Sequence, residues 1–384
     1  MSVAAADAEV LVAGGGPAGA ACAILLARAG RRVVLVEREA GPREKVCGEF
    51  LGADALACLA ALGLDAPALG GVQIAEAGIA RGAASACFAL PFDAWSLPRR
   101  MLDEALLHAA AAAGAILRRG DPATMAAREG SSWCLRLAGG QTLRAPHLVL
   151  ATGKRPLRGI DRTNATEGWI GAKLHLRLRA PLAPVMLLPF TGGYAGLQAN
   201  GGGNANLCAA LAPGQGGSLR DAERFIALVR AGSPLGSALL DGAQAVMPRP
   251  LTVAGVPYGF VHRDAPGADP ALWRLGDQFA VIQSFLGDGM AMALAGGIAA
   301  AAAILSGDTA PAFHTRWRRQ VAGPMRIATI ADVVLRRTPG VFGGIMATMP
   351  GVARFVVRRT RVIGAGRPDL PAAARDAAAM AAIR

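Results

Sequence analysis

Aromatic side chains are scarce in this sequence, at 5% of 384 residues with only 2 tyrosines. So thin a set argues against a stacking platform for single-stranded nucleic acid, where successive bases each need an aromatic face. The 6 cysteines (Cys22, Cys47, Cys58, Cys87, Cys134 and Cys208) form no C-x-x-C pair and no zinc spacing, and no metal-ligand cluster is evident. Reduced thiols and a cytoplasmic setting are the expectation, since no charged segment with an apolar run behind it opens the chain. Lysine is nearly missing: Lys45, Lys154 and Lys173 stand alone, so arginine supplies the remainder of the 40 cations. Acids are missing where arginine is densest. From Phe313 to Arg367 eleven arginines face one acid, Asp332, and that stretch carries +10 of the +13 net charge. No repeat of solenoid length is present. The longest uncharged stretch, Gly289 to Gly307, approaches the length of a membrane span. It is mostly alanine and glycine, which partition weakly into lipid, so it reads as a buried core helix.

What is present is apolar and glycine-rich. Hydrophobic residues make up 53% and charged residues 17%, which excludes disorder for most of the chain. A length of 384 residues exceeds one small core and points to two closely joined domains of α/β or α+β class.

The first motif lies at the N-terminus. Ala8 to Ala13 is a buried-strand run, followed by Gly14-Gly15-Gly16-Pro17-Ala18-Gly19, an apolar helix ending at Gly30, and a second strand from Arg32 that finishes in Glu37 and Arg38. This is G-x-G-x-x-G between strand and helix, with an acid 23 residues after the first glycine. Gly14 permits the tight turn, Gly16 lets a pyrophosphate approach the backbone, and Gly19 lets helix and strand pack closely. The helix that opens with Pro17 and Ala18 offers phosphates a partial positive charge and, from Ala18 onward, unpaired N–H groups. Glu37 can accept both ribose hydroxyls and disfavours a 2′-phosphate, so the ligand is FAD or NAD rather than NADP.

Further along, the strand His147-Leu148-Val149-Leu150 runs into Ala151-Thr152-Gly153, and Leu272-Trp273-Arg274-Leu275 ends in Gly276-Asp277. Ser284-Phe285-Leu286-Gly287-Asp288-Gly289-Met290 then opens the long alanine-glycine helix. In this order the motifs resemble FAD-dependent enzymes of the para-hydroxybenzoate hydroxylase fold, the superfamily of flavoprotein monooxygenases, geranylgeranyl reductases and flavin halogenases. The resemblance runs from about residue 8 to 365. It implies an α/β fold: a Rossmann-like FAD-binding domain of residues 1–71, 95–155 and 266–310, interleaved with an antiparallel-sheet substrate domain of residues 72–94 and 160–265. Residues 311–384 would form a basic helical C-terminal segment.

The resemblance also implies roles. Asp277 would take the ribityl hydroxyls of FAD. Gly287, Gly289 and Met290 would bring helix N–H groups to the flavin N1–C2 edge, where negative charge appears on reduction. The loop Pro42 to Phe50 looks like the one that passes the isoalloxazine ring in the geranylgeranyl reductase branch, bringing Cys47 and Gly48 close to it. Cys47 is either a reactive thiol or a small residue that admits the ring. Arg99 resembles the arginine of the family's Arg-x-x-x-Asp helix start and would pair with the pyrophosphate, with Arg100 as its neighbouring alternative.

The reaction is less sharply written. Tyr194 matches the tyrosine of the prenyl reductases' Tyr-x-Trp-x-Phe-Pro motif, whose other positions here read Gly196, Gln198 and Ala199. The hydroxylase Asp-Gly motif reads Thr152-Gly153-Lys154-Arg155, and no Trp-x-Trp-x-Ile-Pro segment of halogenases is present. No Ser/His/Asp set or carboxylate pair points to hydrolysis. Cys47, Tyr194 and His262 are the catalytic candidates, with His175 a further proton-relay candidate. The expectation is a FAD-dependent monooxygenase acting on a hydrophobic aromatic or polyketide-like molecule with NAD(P)H and oxygen. The alternatives are a geranylgeranyl-reductase-like enzyme acting on a C=C bond, and a flavin-binding protein without turnover. In the C-terminal segment arginines interleave with apolar residues over Phe313–Ala328 and Val341–Val362, joined near Thr338-Pro339-Gly340. Two amphipathic helices are expected there, either resting on an anionic membrane or capping the flavin domain. No nucleic-acid-binding module accompanies their charge.

Overall fold

The computed structural model describes residues 7–160, 168–337, 351 and 361. The chain begins with β1 (Val10–Ala13), α1 (Pro17–Arg28) and β2 (Val33–Glu37). A short β3 (Phe50–Leu51) and α2 (Ala53–Ala61) lead into β4 (Val72–Arg81), β5 (Ala84–Ser96) and α3 (Arg99–Ala112). Next come β6 (Ile116–Arg119), β7 (Ala123–Glu129), β8 (Ser132–Leu137), β9 (Thr142–Ala145) and β10 (His147–Leu150). The second half opens with β11 (Trp169–Arg177), β12 (Val185–Phe190), β13 (Gly193–Gly201) and β14 (Asn204–Leu211). There follow α4 (Ala222–Arg230), α5 (Pro234–Leu239), β15 (Gln244–Ala245), β16 (Leu251–Val256), β17 (Leu272–Arg274), α6 (Gly289–Leu305) and α7 (Ala310–Arg337).

Five strands make a parallel sheet in the order β17-β10-β1-β2-β6. The central strands, β1 and β2, are buried along their whole length and almost entirely apolar, as parallel strands covered on both faces must be. Nine strands form a second sheet, ordered β15-β11-β14-β13-β12-β4-β5-β3 with β16 also paired to β11. Its pairings are antiparallel except β12 with β4. The hairpin β4–β5 is poorly patterned in sequence because both of its faces are largely half-exposed. A third small sheet, β7-β8-β9, lies beside the parallel one.

One core joins the parallel sheet to α1, α3, α6 and α7; another joins the antiparallel sheet to α4 and α5. The alanine-glycine run is α6, nearly all of it buried. It lies against α1 because Gly297 carries no side chain: a Cβ there would sit 2.3 Å from the carbonyl oxygen of Ala18. Among the described residues no helix is long and apolar enough to cross a membrane. The first expected C-terminal helix is longer than its arginine pattern suggests, since α7 continues through Pro324 to Arg337. Burial of Trp317, Val321, Met325 and Ala328 on one face holds it together where the proline removes a hydrogen bond. The junction near Thr338 and the second expected helix lie outside the described residues, apart from positions 351 and 361.

Candidate functional site

The glycine turn after β1 is dictated by backbone crowding. Gly14 has φ 109°, and a Cβ on it would lie 2.3 Å from the carbonyl oxygen of Ala151 at the end of β10. A Cβ on Gly19 would fall 2.0 Å from the carbonyl oxygen of Gly14, so helix and strand can approach only with glycine at both places. Gly16 instead faces open space, with an Arg99 nitrogen 3.8 Å from where its Cβ would be. Gly16 caps α1 with no side chain, leaving first-turn N–H groups of Ala18 and Gly19 directed out of the helix. Glu37, 5% exposed, accepts from Gly15 N at 2.8 Å and from Glu39 N at 3.1 Å. Arg38, beside it, pairs with Glu39. A groove opens here, bordered by Glu37, Arg43, Lys45, Asp103 and Arg119.

Arg99 stands at the rim of the turn. Its Nε and Nη2 donate to the two oxygens of Asp103 at 2.8 and 2.9 Å, and Lys45 reaches Asp103 at 2.9 Å. Burial works against both charges, yet the pairing keeps Asp103 well below the usual carboxylate range and Arg99 firmly protonated. The other strand ends converge on the same place. A Cβ on Gly276 would be 3.2 Å from that of Ala18, which sets Asp277 beside the start of α1. Asp277 pairs with Lys154 at 2.7 Å. Buried Gln278 donates to Thr152 Oγ1, Gly153 O and Arg155 O at 3.0, 2.6 and 2.8 Å, tying this turn to the end of β10.

At the start of α6, Gly287 (φ 74°) lies against the ring of Phe50, while Gly289 opens onto free space. Met290 is buried, and α6 starts with no side-chain cap. Asp288, fully buried, pairs with Arg361, whose guanidinium lies 4.3 Å over the ring of Phe92. Gly48 also faces open space, next to a half-buried Cys47 whose carbonyl oxygen accepts from Asn206 Nδ2 at 3.0 Å.

Open backbone at Gly16, Gly48, Gly153 and Gly289, two uncapped helix starts and carboxylates at Glu37 and Asp277 make one extended cradle. Amides and a helix dipole suit phosphates, and the carboxylates suit sugar hydroxyls. The donor set therefore fits a dinucleotide such as FAD. Beyond this cradle both tyrosines of the chain meet. Tyr194 and Tyr258 each place a hydroxyl 2.9 Å from Ser284 Oγ, in a wall that includes Trp169, Phe285, Ile79 and Leu187. Burial pushes both phenols up, so they stay protonated. His262 lies elsewhere, its Nε2 donating to Asp264 at 3.1 Å and its ring edge against His314 and Phe279.

Comparison with known proteins agrees with a FAD-binding fold. A family model described as "FAD binding domain" matches residues 7–163. A menaquinone reductase of Mycolicibacterium smegmatis is 30% identical over 339 residues, 78% of this chain and 77% of that protein. The chain belongs to the FAD-dependent oxidoreductases of the para-hydroxybenzoate hydroxylase fold. Solved structures share the architecture at low identity. The flavin-dependent brominase Bmp2 has a TM-score of 0.76 at 19% identity, with 98% of each chain covered. A flavoprotein/dehydrogenase from Cytophaga hutchinsonii has a TM-score of 0.74 at 18% identity, covering 98% of this chain and 97% of that one.

Within this FAD-binding fold, sequence reading passed over Gln278, Tyr258 and Ser284. Gln278 was hidden because the motif it follows ends one residue earlier. Tyr258 and Ser284 meet Tyr194 only through folding, and a search for polar residues flanking the glycine motif would have found Ser284 alone.

Proposed function

We propose that this flavoenzyme is a reductase of a lipophilic substrate with a carbonyl-bearing, quinone-like head, drawing its electrons from NAD(P)H. The observation that carries this reading is the meeting of Tyr194 and Tyr258 on Ser284 at the edge of an apolar wall. Hydroxyls kept neutral by burial are donors, matched to a carbonyl oxygen that gains charge as the substrate is reduced. The relationship to a menaquinone reductase supports the same class and ranks it above the monooxygenase expected from sequence.

FAD, when bound, supplies the two-electron chemistry. Ala18 and Gly19 would meet its phosphates, Arg99 would stand beside them, and Glu37 and Asp277 would hold its sugar and ribityl hydroxyls. Lys154 orients Asp277 from across the β10–β17 pair. Tyr194 would hold the substrate oxygen and pass it a proton, with Ser284 and Tyr258 next in the hydroxyl chain. Trp169, Phe285 and Leu187 give that position an apolar lining, and exposed Ser284 links the hydroxyl chain to solvent.

Anaerobic incubation of the FAD-loaded protein with NADH or NADPH and a menaquinone-type quinone lipid tests this reading. A product that gains two hydrogens without oxygen is expected. Turnover that strictly requires oxygen and leaves one oxygen atom in the product overturns it in favour of the monooxygenase.

We further propose that the substrate is collected from an anionic bilayer through α7. On its inner face Ala331 and Leu335 pack with Tyr194 and Trp169, whereas Arg319, Arg326 and Ile330 (63% exposed) face outward. One helix thus joins the aromatic wall to a basic surface of the kind that rests on anionic headgroups.

A further inference from the structure

Behind the Cys47-Gly48 loop lies a charged cluster that the proposed function does not use, and it contains His175. Lys173 of β11 has no exposed side-chain surface and donates to Glu44 Oε2 at 2.7 Å and to Glu49 Oε1. Glu49 is equally buried, also accepts from Arg99 N at 3.1 Å, and has φ 61°, a backbone region that non-glycine residues rarely occupy. His175, two residues along β11, sets its Nε2 3.5 Å from Glu49 Oε2 and 3.8 Å from Glu44 Oε2. Neither that nitrogen nor Glu49 Oε2 has a hydrogen bond, and the Oδ1 of Asn206, opposite His175 on β14, has none either.

Burying Lys173 and Glu49 fully and half-burying Glu44 and His175 is a poor way to fasten a loop to a sheet, because an apolar contact of the same shape does so without desolvating charge. Their charges suggest another task. Lys173 and His175 hold Glu49 ionised against its burial, and Glu49 and Glu44 hold Lys173 charged against its own. With His175 neutral the four carry one net negative charge, and a single proton cancels it. The groups facing His175 are Glu44 and Glu49 from the loop, Lys173 from its own strand and Asn206 from β14. Arg100 pairs with the remaining oxygen of Glu44 at the solvent rim, at 2.9 Å. Glu44 and His175 retain 19% and 13% side-chain exposure, so protons can reach the cluster from water.

We propose that His175 takes up one proton from solvent when a flavin held beside Cys47 and Gly48 is reduced, so that the cluster offsets negative charge placed on the ring. This rests on the reading that the Cys47-Gly48 loop borders the flavin. The balance is simple: an external donor gives two electrons to the flavin, and one of the protons drawn from water lodges on His175.

The test is electrochemical reduction of the FAD-loaded protein in a weakly buffered cell with a pH indicator, repeated for His175→Asn and Glu49→Gln. The wild type should take up about one proton per flavin more than His175→Asn, with unchanged affinity for oxidised FAD. Equal proton uptake by the wild type and His175→Asn overturns the inference. Should the variants fail to fold, nitrogen-15 histidine spectra of the wild-type holoprotein serve instead. One of its 5 histidines should move from neutral to protonated on reduction, and 5 unmoved signals overturn the inference. Protein that binds no FAD removes the site reading itself, which is a separate failure visible before any reduction.

Discussion

The nucleotide end of the site and the substrate end are made of different material. At the first, main chain meets main chain: Gly14 under Ala151, Gly19 against Gly14, with Glu37 pinned by the Gly15 amide. At the second, side chains meet from separate segments, Tyr194 and Ser284 being 90 residues apart. A backbone cradle tolerates almost no added atom, whereas a side-chain wall can be trimmed one group at a time. Substitutions in the two places should therefore fail differently.

The largest effect is expected at Gly19. Gly19→Val puts its first side-chain carbon within 2.0 Å of a main-chain oxygen that cannot yield without moving β1. FAD affinity should drop by at least about a hundredfold, a loss of roughly 3 kcal/mol or more, as read by flavin fluorescence titration. Gly48→Ala sharpens the comparison because nothing lies within 4 Å of the added carbon. Its thermal stability without cofactor should match the parent while FAD affinity falls. Unchanged affinity would remove Gly48 from the ring's path.

Tyr194→Phe probes the other end. The hydroxyl it removes lies in the wall and outside the cradle, so FAD affinity should stay the same while kcat falls about a hundredfold, the usual contribution of a positioned acid. Tyr258→Phe, one hydroxyl further along the chain, should cost about tenfold. An equal loss of FAD affinity in either variant would place the phenols in the cofactor site and erase the contrast.

That contrast also accounts for what could be read before folding. The parallel sheet, the turn Gly14 to Gly19 and Glu37 follow from neighbours in sequence, because a βαβ unit is local. The pairs Thr152-Gly153 and Gly276-Asp277 were legible as strand ends, and β10 and β17 lie side by side in the sheet. The hydroxyl trio and the Lys173 cluster were not. Each needs strands of the antiparallel sheet in a register that no local pattern encodes, and the half-exposed faces of β4 and β5 blur even the two-residue alternation. His262 was selected as a proton relay by residue type alone. The structure sets it with Asp264 and His314, apart from Tyr194 and Ser284.

The bilayer proposal predicts a smaller, salt-dependent effect. Arg319→Gln with Arg326→Gln removes two exposed charges from α7 without touching Ala331 or Leu335. Each arginine near an anionic surface contributes about 1 kcal/mol, so flotation with phosphatidylserine vesicles should weaken at least about tenfold. Turnover of a detergent-dispersed substrate should stay the same. Wild-type binding that ignores salt, or is absent, defeats the proposal.

The smallest effect separates structural histidine from catalytic histidine. Arg274 N donates to His314 Nε2 at 2.9 Å, which leaves the His314 proton on Nδ1, facing Asp264 at 3.0 Å. Asp264 thus joins two imidazoles, and their contact outweighs its burial and holds its carboxyl down at about 2. Burial, then the nearby Arg274, brings His262 down to about 4 from its ordinary 6.5. A histidine whose folded pKa is depressed binds more protons when unfolded, so stability falls as pH drops from about 6.5 towards 4. The Asp264 carboxylate adds stability above its unfolded value near 3.8, lost as pH falls towards about 2. Tm should therefore decline by several degrees between about pH 6.5 and pH 4, and His262→Asn should flatten that decline. If His262→Asn instead leaves the Tm profile unchanged and abolishes turnover of FAD-loaded protein, the cluster belongs to the chemistry, and the division between backbone cradle and side-chain wall has to be redrawn around it.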